Sequence, residues 1–156
     1  MKTFLRPATA NDGPAVVKVQ QAAIRELCAG DYSAAQLASW LSSVASDPFQ
    51  PSLTSHLSIV AEGANGIVGF ADFDDSGGEL VSIYVHPDHA RLGLGSMLLQ
   101  AIETRAHAAG VREMVVSSSL TAVPFFERVG FVAGPATMRR LADATEISVI
   151  PMRRAF

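Results

Sequence analysis

Glu79-Leu-Val-Ser-Ile-Tyr-Val-His-Pro-Asp-His-Ala-Arg-Leu-Gly-Leu-Gly-Ser96 is the stretch that decides the fold of this chain. Leu80 to Val85 is the most apolar strand signal in the first half of the sequence and belongs at the centre of a sheet. A tight, basic, glycine-rich loop follows, then the start of a helix. Such a passage aims several backbone N–H groups at one spot, where unpaired donors and the helix dipole favour an anion. The loop is not a Walker loop, because no Gly-Lys-Ser/Thr follows, and it lacks the third glycine of the dinucleotide Gly-x-Gly-x-x-Gly. A Gly-x-Gly at a helix start also serves as a plain tight turn, so its surroundings have to decide.

Upstream, Thr3 to Arg6 reads as a short strand. Asn11-Asp12-Gly13-Pro14 reads as a helix start, an Asx cap with proline just inside. Val16, Val19, Ala23 and Leu27 recur at helical spacing. Ser33 and Gln36 have the spacing of a capping box, followed by the apolar stripe Leu37, Trp40, Leu41 and Val44. Asp47 to Ser55, with two prolines, reads as a loop. His56–Ala61 and Ile67–Phe73 form a hairpin through Glu62–Gly66. Downstream, Leu94 to Ala109 is an amphipathic helix ended by Gly110, and Met114–Ser118 is a strand. Val123–Val129 is a short helix closed by Gly130. Phe131–Met138 and Glu146–Met152 are the last two strands. The expected fold class is α/β (α+β), one domain over residues 1–156, with a mixed central sheet and helices on both faces.

A chain of 156 residues buries roughly 70% of its unfolded surface, enough for a full core. The net charge of −3 argues against nucleic acid as a partner and permits a cationic substrate. Cys28 is the single cysteine, which fits a reducing, cytoplasmic setting. No apolar run is long enough to span a bilayer, so no membrane partner is expected. His56, His89 and His107 have no metal-like spacing, so no metal is expected.

Ile83-Tyr-Val-His-Pro-Asp-His-Ala-Arg-Leu-Gly-Leu-Gly-Ser-Met-Leu-Leu99 resembles the acyl-CoA-binding segment of the GNAT acetyltransferase superfamily. Ala122-Val-Pro-Phe-Phe-Glu-Arg-Val-Gly-Phe131 resembles that family's next helix. Leu5-Arg-Pro-Ala-Thr9 with Asp12 resembles its first strand and turn, and Ile147-Ser-Val-Ile-Pro-Met152 its last strand. The resemblance implies a GNAT-like fold with a mostly antiparallel sheet and acetyl-CoA as cofactor. The activity it implies is N-acetyl transfer to a small-molecule or protein amine by direct attack. It also allows a homodimer. The alternative is a CoA-binding sensor or interaction module of the same fold that has lost catalysis.

The resemblance also assigns roles. Arg91, Leu92, Gly93, Leu94, Gly95 and Ser96 would hold the pyrophosphate, and glycine there lets the backbone come close. Ile83, Tyr84 and Val85 would pair with the pantetheine arm, and the Val85 amide would face the thioester oxygen. Glu79 matches the base carboxylate of the histone-acetylating branch, and a protonated amine needs such a base. Strand alternation, by contrast, puts Asp72 on the face opposite Ala71 and Phe73, where it could bind a cationic amine or serve as base. Tyr32 belongs to the helix pair that forms part of the family's acceptor wall. Two positions depart from the family pattern. Ala90 replaces Gln or Arg, and Phe126 replaces the tyrosine that often protonates the leaving thiolate. Tyr84, His86, Tyr32 and Cys28 are the candidates to substitute for that tyrosine.

Overall fold

The structure is a computed structural model that describes residues 2–46, 53 and 55–156. Its elements run β1 (Phe4–Pro7), a 3-10 turn (Ala10–Asp12), α1 (Gly13–Leu27), α2 (Ala34–Ser46), β2 (Leu57–Gly63), β3 (Gly66–Asp74) and β4 (Glu79–Val85). They continue with a second 3-10 turn (Pro87–His89), α3 (Leu94–Ala108), β5 (Glu113–Ser119), α4 (Val123–Arg128), β6 (Val132–Ala133), β7 (Thr137–Arg140) and β8 (Glu146–Ala155). The strands form one sheet in the order β1-β2-β3-β4-β5-β8, with β6 and β7 both paired to the far side of β8. Every pairing is antiparallel except β4 with β5. This is the mixed, mostly antiparallel α/β architecture expected from the sequence.

Strand alternation builds a core on each face of the sheet. Ile59, Ala71 and Phe73 point to one side and pack with Leu98, Leu99 and Ile102 of α3. Val60 and Phe70, their neighbours in sequence, point to the other side and meet Val16 and Val19 of α1. Trp40 and Val44 of α2 extend that second layer onto Ile147 and Val149 of β8. Full burial of a side chain as large as Phe70 or Phe73 contributes roughly 1.5–3 kcal/mol.

Three local expectations are corrected. Asp12 does not cap α1 with its side chain. Its carboxylate turns back to accept from the Thr9 N–H at 2.7 Å and from both terminal nitrogens of Arg6 at 2.9 Å, closing the preceding 3-10 turn. Leu27 is exposed, and Ile24 takes its place on the buried stripe of α1. The expected strand Phe131–Met138 splits into β6 and β7. Gly134 N–H donates to Pro151 O at 2.7 Å, and Pro135 then has no N–H to continue the ladder. The Ser33–Gln36 capping box forms in both directions, at 3.0 and 3.1 Å. Of the expected loop Asp47–Ser55, Asp47–Ser52 and Thr54 lie outside the described residues.

One irregularity positions the site. On β4, Ser82 pairs with Asp72 and Leu80 with Phe73, so Val81 is an extra, bulged residue. A bulge bends its strand and increases the local twist. The parallel pairing of β4 with β5 consists of Glu79 with Val115 and Leu80 with Val116, and it ends at the bulge. Beyond that point the two strands part.

Candidate active site

The parted strands open a groove with a volume of about 500 Å³ through the middle of the sheet. The register fixes which backbone groups face it. His86 N–H donates to Val68 O at 2.7 Å, and Gly69 opposes Val85. Antiparallel pairs alternate between bonded and non-bonded positions. Val85 and Ile83 are therefore non-bonded pairs with β3, and their N–H and C=O groups point the other way, into the groove. Tyr84 pairs its backbone with Phe70 instead, and its ring stacks on the Phe70 ring at 5.8 Å.

At one end of the groove lies the glycine-rich loop. Arg91 and Gly93 both have positive φ, 62° and 81°. Gly93 is the N-cap of the 15-residue helix α3 and no side chain caps it. The first intrahelical bond there runs from Met97 N–H to Gly93 O at 3.0 Å. The amides of Leu94, Gly95 and Ser96 precede it, so they have no partner within the helix. All three residues line the groove, where the positive end of the α3 dipole adds to their pull on an anion. A Cβ on Gly95 would stand 3.3 Å from the Phe125 ring, so this approach is already close.

The opposite wall is built by α1, α2 and the strands at the far side of the gap. Gln20, Cys28, Trp40 and Arg139 line it, and Tyr84 lines the groove from β4. Burial pushes the Tyr84 hydroxyl up to about 12, partly offset by a hydrogen bond with Gln20. Burial also raises the Cys28 thiol, against a smaller opposing hydrogen bond with Thr121. Both groups therefore stay protonated at neutral pH. No aspartate or glutamate among the described residues lines the groove.

The residues singled out from sequence fall into two sets. Ile83, Tyr84, Val85, Arg91, Gly93, Leu94, Gly95 and Ser96 come together along the groove. Leu92 stands on the same loop, 73% exposed and turned outward. Glu79 borders a separate cleft with Pro135 and Arg153, and Ser117 lines both that cleft and the groove. Asp72 is fully buried outside the groove, with its carboxylate 3.0 Å from His56 Nδ1 and accepting from Ser58 Oγ at 2.8 Å. Tyr32 is also buried away from it. Its hydroxyl accepts from Leu120 N–H at 2.9 Å and donates to Ser148 O at 2.7 Å. Phe126 is 2% exposed at the groove's edge, wedged between Phe125 and Phe131. The His86 ring accepts from Asp88 N–H and serves the turn. Sequence reasoning missed Gln20 and Arg139. Neither stands in a motif, and only the tertiary fold brings them to the groove.

Known proteins share this fold. The acetyltransferase (GNAT) domain family matches residues 28–156. A GCN5-related N-acetyltransferase from Rhodopseudomonas palustris is 28% identical, with a TM-score of 0.91 over 100% of this chain and 97% of its own. The PaiA N-acetyltransferase of Thermoplasma acidophilum, solved with coenzyme A, shares the fold over the whole of both chains at a TM-score of 0.79 and 17% identity. An amino-acid acetyltransferase of Pseudomonas fluorescens (strain Pf0-1) is 41% identical over 71 residues. That match spans 46% of this chain and only 16% of the relative's length.

Proposed function

Because the chain belongs to the GNAT acetyltransferase family, we propose that it moves an acetyl group from acetyl-CoA to a primary amine. One observation carries this reading. A single groove joins the free amides at the start of α3 to the outward-facing backbone of Ile83 and Val85. The first set suits a pyrophosphate and the second an extended amide-containing arm. Acetyl-CoA, when bound, supplies an activated acyl carbon.

The chain's own residues do the rest. Leu94, Gly95 and Ser96 donate their amides to phosphate oxygens, and Arg91 adds charge. The Val85 N–H donates to the thioester oxygen as negative charge builds there, the kind of contact that lowers a barrier most. The amine nitrogen bonds to the acyl carbon, the carbon–sulfur bond breaks, and the sulfur keeps the electron pair. A thiolate near pKa ~8.5 departs without a dedicated acid, so Phe126 does not forbid the reaction. Glu79 is the proposed proton acceptor and acts through water across Ser117, which borders both clefts. Glu79→Gln then lowers kcat by about tenfold or more without moving the KM for acetyl-CoA. An unchanged kcat would remove Glu79 from the mechanism.

The test of the whole reading is thiol release from acetyl-CoA across a panel of amines. Acceptor-dependent release is expected. Tight CoA binding without release from any amine would turn the assignment to a sensor of the same fold, the reading that Phe126 favours.

A further inference from the structure

The wall facing β4 carries two buried polar atoms with no partner, Gln20 Oε1 and Trp40 Nε1. Their residues are 6% and 2% exposed, and both line the groove. Buried polar atoms are almost always paired, so a pair of orphans on one wall marks where a ligand's polar atoms belong. The two atoms are chemically opposite. An indole N–H only donates and therefore seeks an oxygen, whereas a carboxamide oxygen only accepts and therefore seeks an N–H.

Charge on the groove narrows the ligand further. Arg91, Arg128 and Arg139 line it, and no aspartate or glutamate among the described residues does. Arg91 and Arg128 stand on the glycine loop and at the end of α4, the side proposed to hold phosphates. Arg139, on β7, belongs to the opposite wall, and its charge is felt at the hydroxyls of both Tyr32 and Tyr84. Its neighbour Arg140 pairs with Glu146, while no carboxylate pairs with Arg139 among the described residues. Asp31, which accepts from the groove residue Thr121 at 2.7 Å, is felt at Tyr32 as well, but it makes no ion pair with Arg139. An acceptor bearing only ammonium groups would therefore face the three arginines with nothing of its own to pair with them.

We propose that the acceptor is a small amine carrying its own carboxylate, such as a free amino acid. The carboxylate would sit between Arg139 and the Trp40 indole N–H, and the amine would donate to Gln20 Oε1. This assignment rests on the acetyl-transfer reading above, and it excludes polyamines and other carboxylate-free polycations as preferred acceptors.

The experiment compares L-α-amino acids with their amides, their decarboxylated amines and spermidine, using the full chain and acetyl-CoA. The carboxylated amine is expected to win by at least about tenfold in kcat/KM, the scale of one charge-assisted contact. Arg139→Ala, at an exposed position, should raise the KM of the amino acid by about tenfold and erase the preference. The KM for acetyl-CoA should not move, and Arg139→Lys should restore part of the loss. Equal or better use of the decarboxylated amine or spermidine would overturn the inference and leave acetyl transfer standing. Binding of amino acids to the CoA complex, followed by calorimetry, separates the other failure. Binding that depends on Arg139 without turnover would sink acetyl transfer and leave only the carboxylate site, and no binding would sink that site itself.

Discussion

Asp12 holds three elements together with one carboxylate. It takes both terminal nitrogens of Arg6 on β1 and the Thr9 amide, while Arg6 Nε reaches Glu62 on β2 at 2.8 Å. The Arg6 guanidinium is the main reason that the Asp12 carboxyl stays below the usual carboxylate range. Asp12→Asn should therefore cost about 1–3 kcal/mol at pH 7, read from urea unfolding. The wild-type advantage is present above the unfolded carboxylate value of ~3.9 and fades as pH falls through the lower folded value. Tyr84 gives the opposite dependence. Its hydroxyl is raised in the folded chain to about 12, so stability falls as pH rises past ~10, where the unfolded chain releases its proton first. Tyr84→Phe should flatten that alkaline loss in unfolding midpoints taken between pH 9 and 11. At this scale the sequence spoke unevenly. The helical stripe placed Trp40 in the core correctly but carried no sign that its N–H would be left open. Asp12 looked like an Asx cap because its Arg6 partner lies on another element. The place of Tyr32 in its helix pair points to the acceptor wall, and no spacing rule foretells a hydroxyl spliced between Leu120 and Ser148, the next pair in the β5–β8 register.

Elements that depend on near neighbours were legible, and those that depend on the sheet were not. The Ser33–Gln36 box closes within one turn, so its spacing sufficed. Gly-Pro at 134–135 contains the reason for the break between β6 and β7, a missing donor. The Val81 bulge left no mark in the sequence, because it arises from the register of β4 on β3. The start of α3 can be tested directly. Gly93→Ala puts an L side chain at φ 81° with open space around it, so the cost is backbone strain of about 1–2 kcal/mol. Gly95→Ala has no such strain and faces the Phe125 ring at 3.3 Å, which needs to shift only slightly. Its stability should change by less than about 1 kcal/mol, while its methyl crowds the amides that face the groove. Both variants are expected to raise the KM for acetyl-CoA several-fold. Thermal unfolding beside steady-state kinetics distinguishes them, since only Gly93→Ala should lose appreciable Tm.

At the scale of the whole molecule, the order of strands and helices was readable from the blocks at Glu79–Ser96, Ala122–Phe131 and Ile147–Met152. Their spacing carries the fold, and the two-layered core follows from alternation on β2 and β3. The groove's chemistry was not readable in the same way. Arg139 reaches it only because β7 pairs on the outer edge of β8, and Gln20 because α1 lies across Tyr84. Net charge misled for the same reason. The chain is acidic overall, yet the groove is lined by three arginines and, among the described residues, by no aspartate or glutamate.

The parting of β4 from β5 has a consequence beyond chemistry. A sheet that leaves Ile83 and Val85 with no strand on their β5 side would be completed by the acetyl-CoA arm proposed to lie there. The occupied protein should therefore resist heat better as the ligand rises, with the logarithm of its concentration above Kd. At one hundred times Kd the gain is about 2.7 kcal/mol, and hydrogen exchange at those two amides should slow when CoA is added. Abundance in a growing cell would then follow the acetyl-CoA pool, with turnover by proteases rising when that pool runs low.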